Sequence, residues 1–162
     1  MGKRSFLFIL VLVVVFEGCS NVVSKANERP PKKVCIQEYE ERWTKFEEKI
    51  LGDITSSFNL NLEGFKEVTF NDLHNDMKIG EKNEDIQSLQ HLFVGNSLGD
   101  MKLFLKGNRG YFLYKRTDGN NVFKEIYQMS YGGIWKVMSE QEVEGKKIKW
   151  GKEFDWAKCK EE

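Results

Sequence analysis

The chain reads as an α+β protein, an N-terminal amphipathic helix packed on a curved antiparallel β-meander. Three observations predict this. One long stretch after residue 34 carries apolar residues at helical spacing. The second half alternates apolar and polar residues in short runs separated by Gly and Asn. With 162 residues there is room for one core and a processed leader, and a core of that size is stable without a cofactor, so none is expected. Residues 1–19 are read as a signal peptide, 20–33 as a linker and 34–162 as a single domain.

The leader comes first. Lys3 and Arg4 precede an unbroken apolar run from Phe6 to Phe16. That run has signal-peptide length and falls short of the roughly 20 residues needed to cross a bilayer core. The run ends in "FEGCSN". Gly18 and Cys19 resemble the end of a lipobox, the motif at which bacterial lipoprotein precursors are acylated on cysteine and cut. Phe16 and Glu17 depart from the aliphatic and small residues usual there. The resemblance implies lipid on Cys19, an exported protein held on the cell envelope, and the membrane as a partner. A second reading stays open: cleavage before Asn21 between small residues, giving a secreted or periplasmic soluble protein. The polar stretch up to Pro30-Pro31 suits a linker.

Both readings leave two thiols in the folded domain, Cys35 and Cys159. An even pair in an exported chain predicts a disulfide. Closing a loop of roughly 125 residues is worth about 4–5 kcal/mol in the chain-entropy description.

"CIQEYEERWTKFEEKIL" places Ile36, Tyr39, Trp43, Phe46 and Ile50 at steps of three and four, which predicts an amphipathic helix ending at Gly52-Asp53. Glu38–Arg42 and Glu41–Lys45 are favourable i,i+4 pairs, each worth a few tenths of a kcal/mol. "FNLNLEGFKEVTF" alternates and predicts one or two short strands broken near Gly64. "EDIQSLQHLF" has Ile86, Leu89, Leu92 and Phe93 at helical spacing and predicts a short helix ended by Gly95.

Five strands are then predicted: "MKLFLK", "YFLYKR", "VFKEIYQMSY", "IWKVMSEQ" and "KIKWGKEF". The Gly- and Asn-containing gaps between them suit tight antiparallel turns, because these residues accept positive φ. Alternation groups Phe104, Phe112 and Tyr114, then Phe123, Tyr127 and Tyr131, then Trp135 and Val137, as candidates for single faces. A one-residue slip in register exchanges the faces.

The order of helix, connection and meander, together with "YGGIWKV" at Tyr131–Val137, resembles the cone-shaped SnoaL and ketosteroid isomerase group. That resemblance implies a helix closing a curved sheet around a pocket, and a small enzyme acting through a buried carboxylate. It carries over no catalytic residue, since no motif fixes one.

Composition narrows the function classes. The 25 basic and 25 acidic residues leave no net field to attract a polyanion, so nucleic acid is not an expected partner. No phosphate loop, nucleophile elbow or zinc motif is present. "DLHND" would align Asp72, His74 and Asp76 on one side of a strand, where they would be candidate metal ligands; as a turn they are ordinary polar residues. His91 sits on the short helix next to Leu92 and is read as a hydrogen-bonded or exposed histidine, not as a general base. Trp135, Trp150, Trp156 and Tyr131 are the candidate surface for a protein partner or a small apolar ligand, with Trp150 and Trp156 expected to be the more exposed. The expected function is a non-catalytic binding or accessory domain on the envelope. The alternatives are the small enzyme and a secreted effector or inhibitor.

Overall fold

The computed structural model describes residues 32–76 and 83–159. Residues 31–162 make one compact unit. Its elements are α1 (Lys33–Ser57), β1 (Lys66–Val68), α2 (Phe70–Asp76), α3 (Glu84–Gln90) running into a 3-10 turn (His91–Phe93), β2 (Lys102–Lys106), β3 (Arg109–Lys115), β4 (Asn120–Gln128) and β5 (Trp135–Glu144). A final 3-10 turn spans Trp156–Cys159. The five strands pair in chain order, all antiparallel, in an open sheet with β1 and β5 at its edges. The α+β class and the helix-then-meander order are as the sequence predicts.

Helix α1 does not stop at Gly52-Asp53. It continues to Ser57 because Ile54 extends the stripe of Phe46 and Ile50 by another i+4 step, and all three are buried. An exposed mid-helix glycine costs about 1 kcal/mol, less than burying an isoleucine returns. The helix ends where Phe58 N–H bonds back to Ile54 O and Asn59 turns into the left-handed region at φ 49°. At its start no side chain caps it. Instead Lys32 N–H donates to Cys159 O (2.9 Å), and the Cys35–Cys159 disulfide fixes the same end to the C-terminus.

The alternation over 58–70 is not mainly a strand. Only Lys66–Val68 joins the sheet. Leu60, Leu62 and Phe65 lie in the connection and pack on the α1 cluster, with Phe65 stacked on Tyr111 at 4.5 Å between centroids. Phe70 opens a helix, because Thr69 and Asp72 form a reciprocal cap. Thr69 N–H and Oγ1 donate to Asp72 Oδ2 (2.8 and 2.7 Å), and Asp72 N–H donates to Thr69 Oγ1 (3.1 Å).

Both faces of β2, β3 and β4 are covered, while β5 is largely exposed. Phe104, Tyr111, Leu113 and Phe123 pack against Phe46, Ile50 and Ile54 of α1. Leu103, Phe112 and Ile126 pack against Leu73 of α2 and Leu89 of α3, with Tyr114 and Trp135 beside them. Phe104 therefore lies on the opposite face from Phe112 and Tyr114. The cause is the two-residue turn at Gly107-Asn108, which pairs Lys106 with Arg109 and so sets Phe104 opposite Tyr111. A bulge on β5 at Met138, between the Glu125–Ser139 and Ile126–Val137 pairs, brings Trp135 and Val137 to the face of α2 and α3.

"KIKWGKEF" forms no strand. The chain leaves β5 at Gly145 and crosses α1 as a strap, laying Trp150 and Phe154 on Tyr39, Trp43 and Phe46. What diverts it is a buried carboxylate on α1, to which Lys146 N–H donates (3.0 Å to Asp53 Oδ2).

Candidate functional site

The polar centre between α1, β3, β4 and the strap is built on Lys115. Strand alternation puts this residue on the same face as Tyr111 and Leu113, so its amine is carried into the interior and is fully buried. Lys115 Nζ donates to Asp53 Oδ2 (2.8 Å) and Asn121 Oδ1 (2.9 Å). Asn121 Nδ2 donates to Asp53 Oδ2 (2.8 Å) and Ser57 Oγ (2.9 Å). Burial pushes the Asp53 carboxyl up, but the donors from Lys115, Asn121 and Lys146 together outweigh it, and the net pKa lies below the ordinary aspartate value. Gly145 passes so close that an added Cβ would meet Lys115 Nζ and Asn121 Nδ2. The donors onto Asp53 Oδ2 come from β3, β4 and the strap, so the centre joins these elements to α1.

Glu47 is the other buried carboxylate. Its Oε1 accepts from Asp100 N–H (2.9 Å), while Oε2 is sealed from solvent without a hydrogen-bond partner among the described residues. Lys102 Nζ stands 3.8 Å from that oxygen and 3.0 Å from Glu67 Oε1. Burial raises the Glu47 pKa, and the Asp100 N–H and Lys102 offset this only in part. Beyond Asp100 and Lys102 opens a groove of about 530 Å³ that also touches Thr69, Phe70, Phe93 and Ser97.

The third feature lies on the surface. Arg42, Lys45 and Lys49 from α1 and Lys149 and Lys152 from the strap surround Trp150 in a depression of about 210 Å³. Trp150 is half-buried, edge-on to Phe46 at 5.0 Å and 5.4 Å from Trp43. Trp156, 40 % exposed, lies against Tyr39 and Phe154 nearer the disulfide.

The remaining sequence candidates scatter. Tyr131 is 96 % exposed in the β4–β5 turn, and Trp135 is half-buried on the face of α2 and α3, its backbone N–H donating to Ser88 Oγ (2.9 Å). Asp72, His74 and Asp76 lie on helix α2, not on a strand, so His74 is turned away from the side that Asp72 and Asp76 share. Asp72 is occupied as a cap, and the Thr69 donors hold its carboxyl below the usual value. Among the described residues no cluster of three His, Cys, Asp or Glu side chains could hold a metal ion. His91 is exposed at the start of its 3-10 turn. Cys19 lies outside the described residues.

Asp53, Lys115 and Glu47 escape sequence reading, although one signal is present. Lys115 occupies an inward position in the alternating run "YFLYK", where a lysine requires a buried partner. The basic set was equally legible: Lys146, Lys147, Lys149 and Lys152 crowd around Trp150 in sequence.

Fold and site together define a disulfide-clamped α+β meander domain in which the segment after β5 is strapped over α1. No protein family, curated protein or solved structure matches the chain. No helix among the described residues is long and apolar enough to cross a membrane.

Proposed function

We propose that the protein is an exported domain tethered to the cell envelope through lipid on Cys19, and that it acts by binding. The observation that carries this reading is the leader: Lys3 and Arg4, an apolar run of export length, and its end on Gly18-Cys19. The Cys35–Cys159 disulfide supports an oxidising destination. The aromatic and cationic surface along α1 and the strap supports binding over catalysis.

The intact mass of the processed protein, taken from membranes and from medium with and without reductant, tests the reading. The expected species begins at Cys19, carries acyl chains, is found in membranes and gains two hydrogens on reduction. A soluble species beginning at Asn21 or later overturns the tether and leaves a secreted effector or inhibitor.

One observation favours a second reading, the small enzyme. Glu47 is a buried carboxyl with a raised pKa and an oxygen without a hydrogen bond, behind Asp100 and Lys102 of the groove lining, which suits a general acid. Its test is turnover of a substrate bound in that groove, abolished by Glu47→Gln with the fold intact.

A further inference from the structure

The flank of α1 nearest the strap carries Arg42, Lys45 and Lys49, three and four residues apart and therefore in one row. Lys149 and Lys152 face them across Trp150. All five side chains are exposed. Arg42 pairs with exposed Glu38, whereas none of the four lysines forms an ion pair among the described residues. Toward the start of α1, Trp156 exposes its ring beside Tyr39, and the nearby Lys158 is paired with Asp155 (3.2 Å). Here Lys32 N–H meets Cys159 O, the point at which the preceding segment enters the domain.

We propose that this face docks the domain on the surface of an anionic lipid bilayer, with the lysines over the headgroups and Trp156 at the interface. Three arguments select a bilayer over a soluble polyanion. The whole chain has no net charge, so attraction is confined to the patch and fades within a Debye length of about 8–10 Å. Such a patch acts only on an anion already held nearby. The tether of the preceding reading, on which the proposal rests for this point, supplies that nearness: twelve residues lie between Cys19 and Lys32, a reach of roughly 45 Å at full extension over the thirteen steps. Trp156, whose exposed ring rests on Tyr39 beside Trp150, also has the amphipathic character favoured at membrane–water interfaces.

The test uses residues 32–162 with the disulfide intact, a unit that holds both apolar clusters and the whole sheet, so that leader and lipid play no part. Cosedimentation is measured with vesicles of phosphatidylcholine alone and of phosphatidylcholine with phosphatidylserine. Binding is expected to the second only, weakening with salt. Each lysine replaced should lower the partition coefficient about fivefold, so Lys45→Gln with Lys49→Gln together lower it roughly 25-fold, while Lys136→Gln on β5 changes nothing. Urea midpoints equal to that of the parent show that these variants remain folded. Equal binding to both vesicles, binding to neither, or capture by heparin or nucleic acid without vesicle binding overturns the proposal. The two readings fail separately. An acylated Cys19 with no vesicle binding by 32–162 removes the docking face and keeps the tether, and vesicle binding with an unacylated chain does the reverse.

Discussion

Replacing Lys115 by Met keeps the bulk of the side chain and removes its charge, which isolates the contribution of the buried pair. In the parent, Asp53 Oδ2 takes three donors, from Lys115, Asn121 and the Lys146 backbone, and the Lys115 side chain is wholly buried. Without the ammonium, an aspartate with a side-chain exposure of only 4 % keeps its charge against two neutral donors. Breaking a buried pair from one side costs about 3–5 kcal/mol, because the surviving charge is uncompensated. With a urea slope of about 2 kcal/mol/M, the midpoint should fall by roughly 2 M at pH 7. Lys115→Met combined with Asp53→Asn removes both charges and should recover a large part of that loss, giving a coupling energy of about 2 kcal/mol or more. The pH dependence has a defined sign. The folded-state pKa of Asp53 is depressed, so its contribution is complete above the unfolded aspartate value of about 3.9 and is lost as pH falls through the folded value. The acid limb of the parent stability curve should flatten in Asp53→Asn. A Lys115→Met midpoint within about 0.3 M of the parent, or strictly additive effects in the cycle, would refute the account of a buried ion pair joining α1, β3, β4 and the strap.

Other perturbations probe the remaining elements. Gly52→Ala should stabilise the protein by about 1 kcal/mol, because nothing lies within 4 Å of the added Cβ and the helix runs through the position; destabilisation in thermal melts would instead place the helix end there. Ile54→Ala, in the turn beyond Gly52, should cost about 2–5 kcal/mol by urea denaturation, and a loss below 1 would mean that the turn is not packed. Opening the disulfide by Cys35→Ser with Cys159→Ser should cost about 4–5 kcal/mol for a sequence separation of 124 residues and change the fluorescence of Trp150 and Trp156; a native emission spectrum with an unshifted midpoint contradicts a clamped strap. Glu47→Gln should raise stability at neutral pH. The folded pKa of Glu47 is raised, so its contribution is present below the unfolded glutamate value and falls as pH rises through the folded one; stability curves of variant and parent that run parallel from pH 4 to 8 would count against this.

Elements that depend on near neighbours in the chain were legible. Helix α1 follows from spacings of three and four, and β2, β3 and β4 follow from alternation between glycine turns. The short helix at Ile86 to Phe93 is present as α3 and its 3-10 turn. The disulfide followed from an even thiol count. The failures lie where a distant partner decides. "KIKWGKEF" alternates like a strand, yet Asp53, more than ninety positions earlier, captures the Lys146 N–H and turns the segment onto α1. Trp150, expected on the surface, meets Trp43 and Phe46 there.

The sequence by itself determined the α+β order, the thiol pair and the absence of net charge, because these reside in composition and in periods shorter than one element. Only the tertiary structure decided which sheet face each aromatic residue covers, where α1 ends, and that Asp53 and Lys115, 62 positions apart, share one buried hydrogen bond. Those outcomes depend on strand register and on interior desolvation. Both couple residues far apart in the chain, and no local pattern records them.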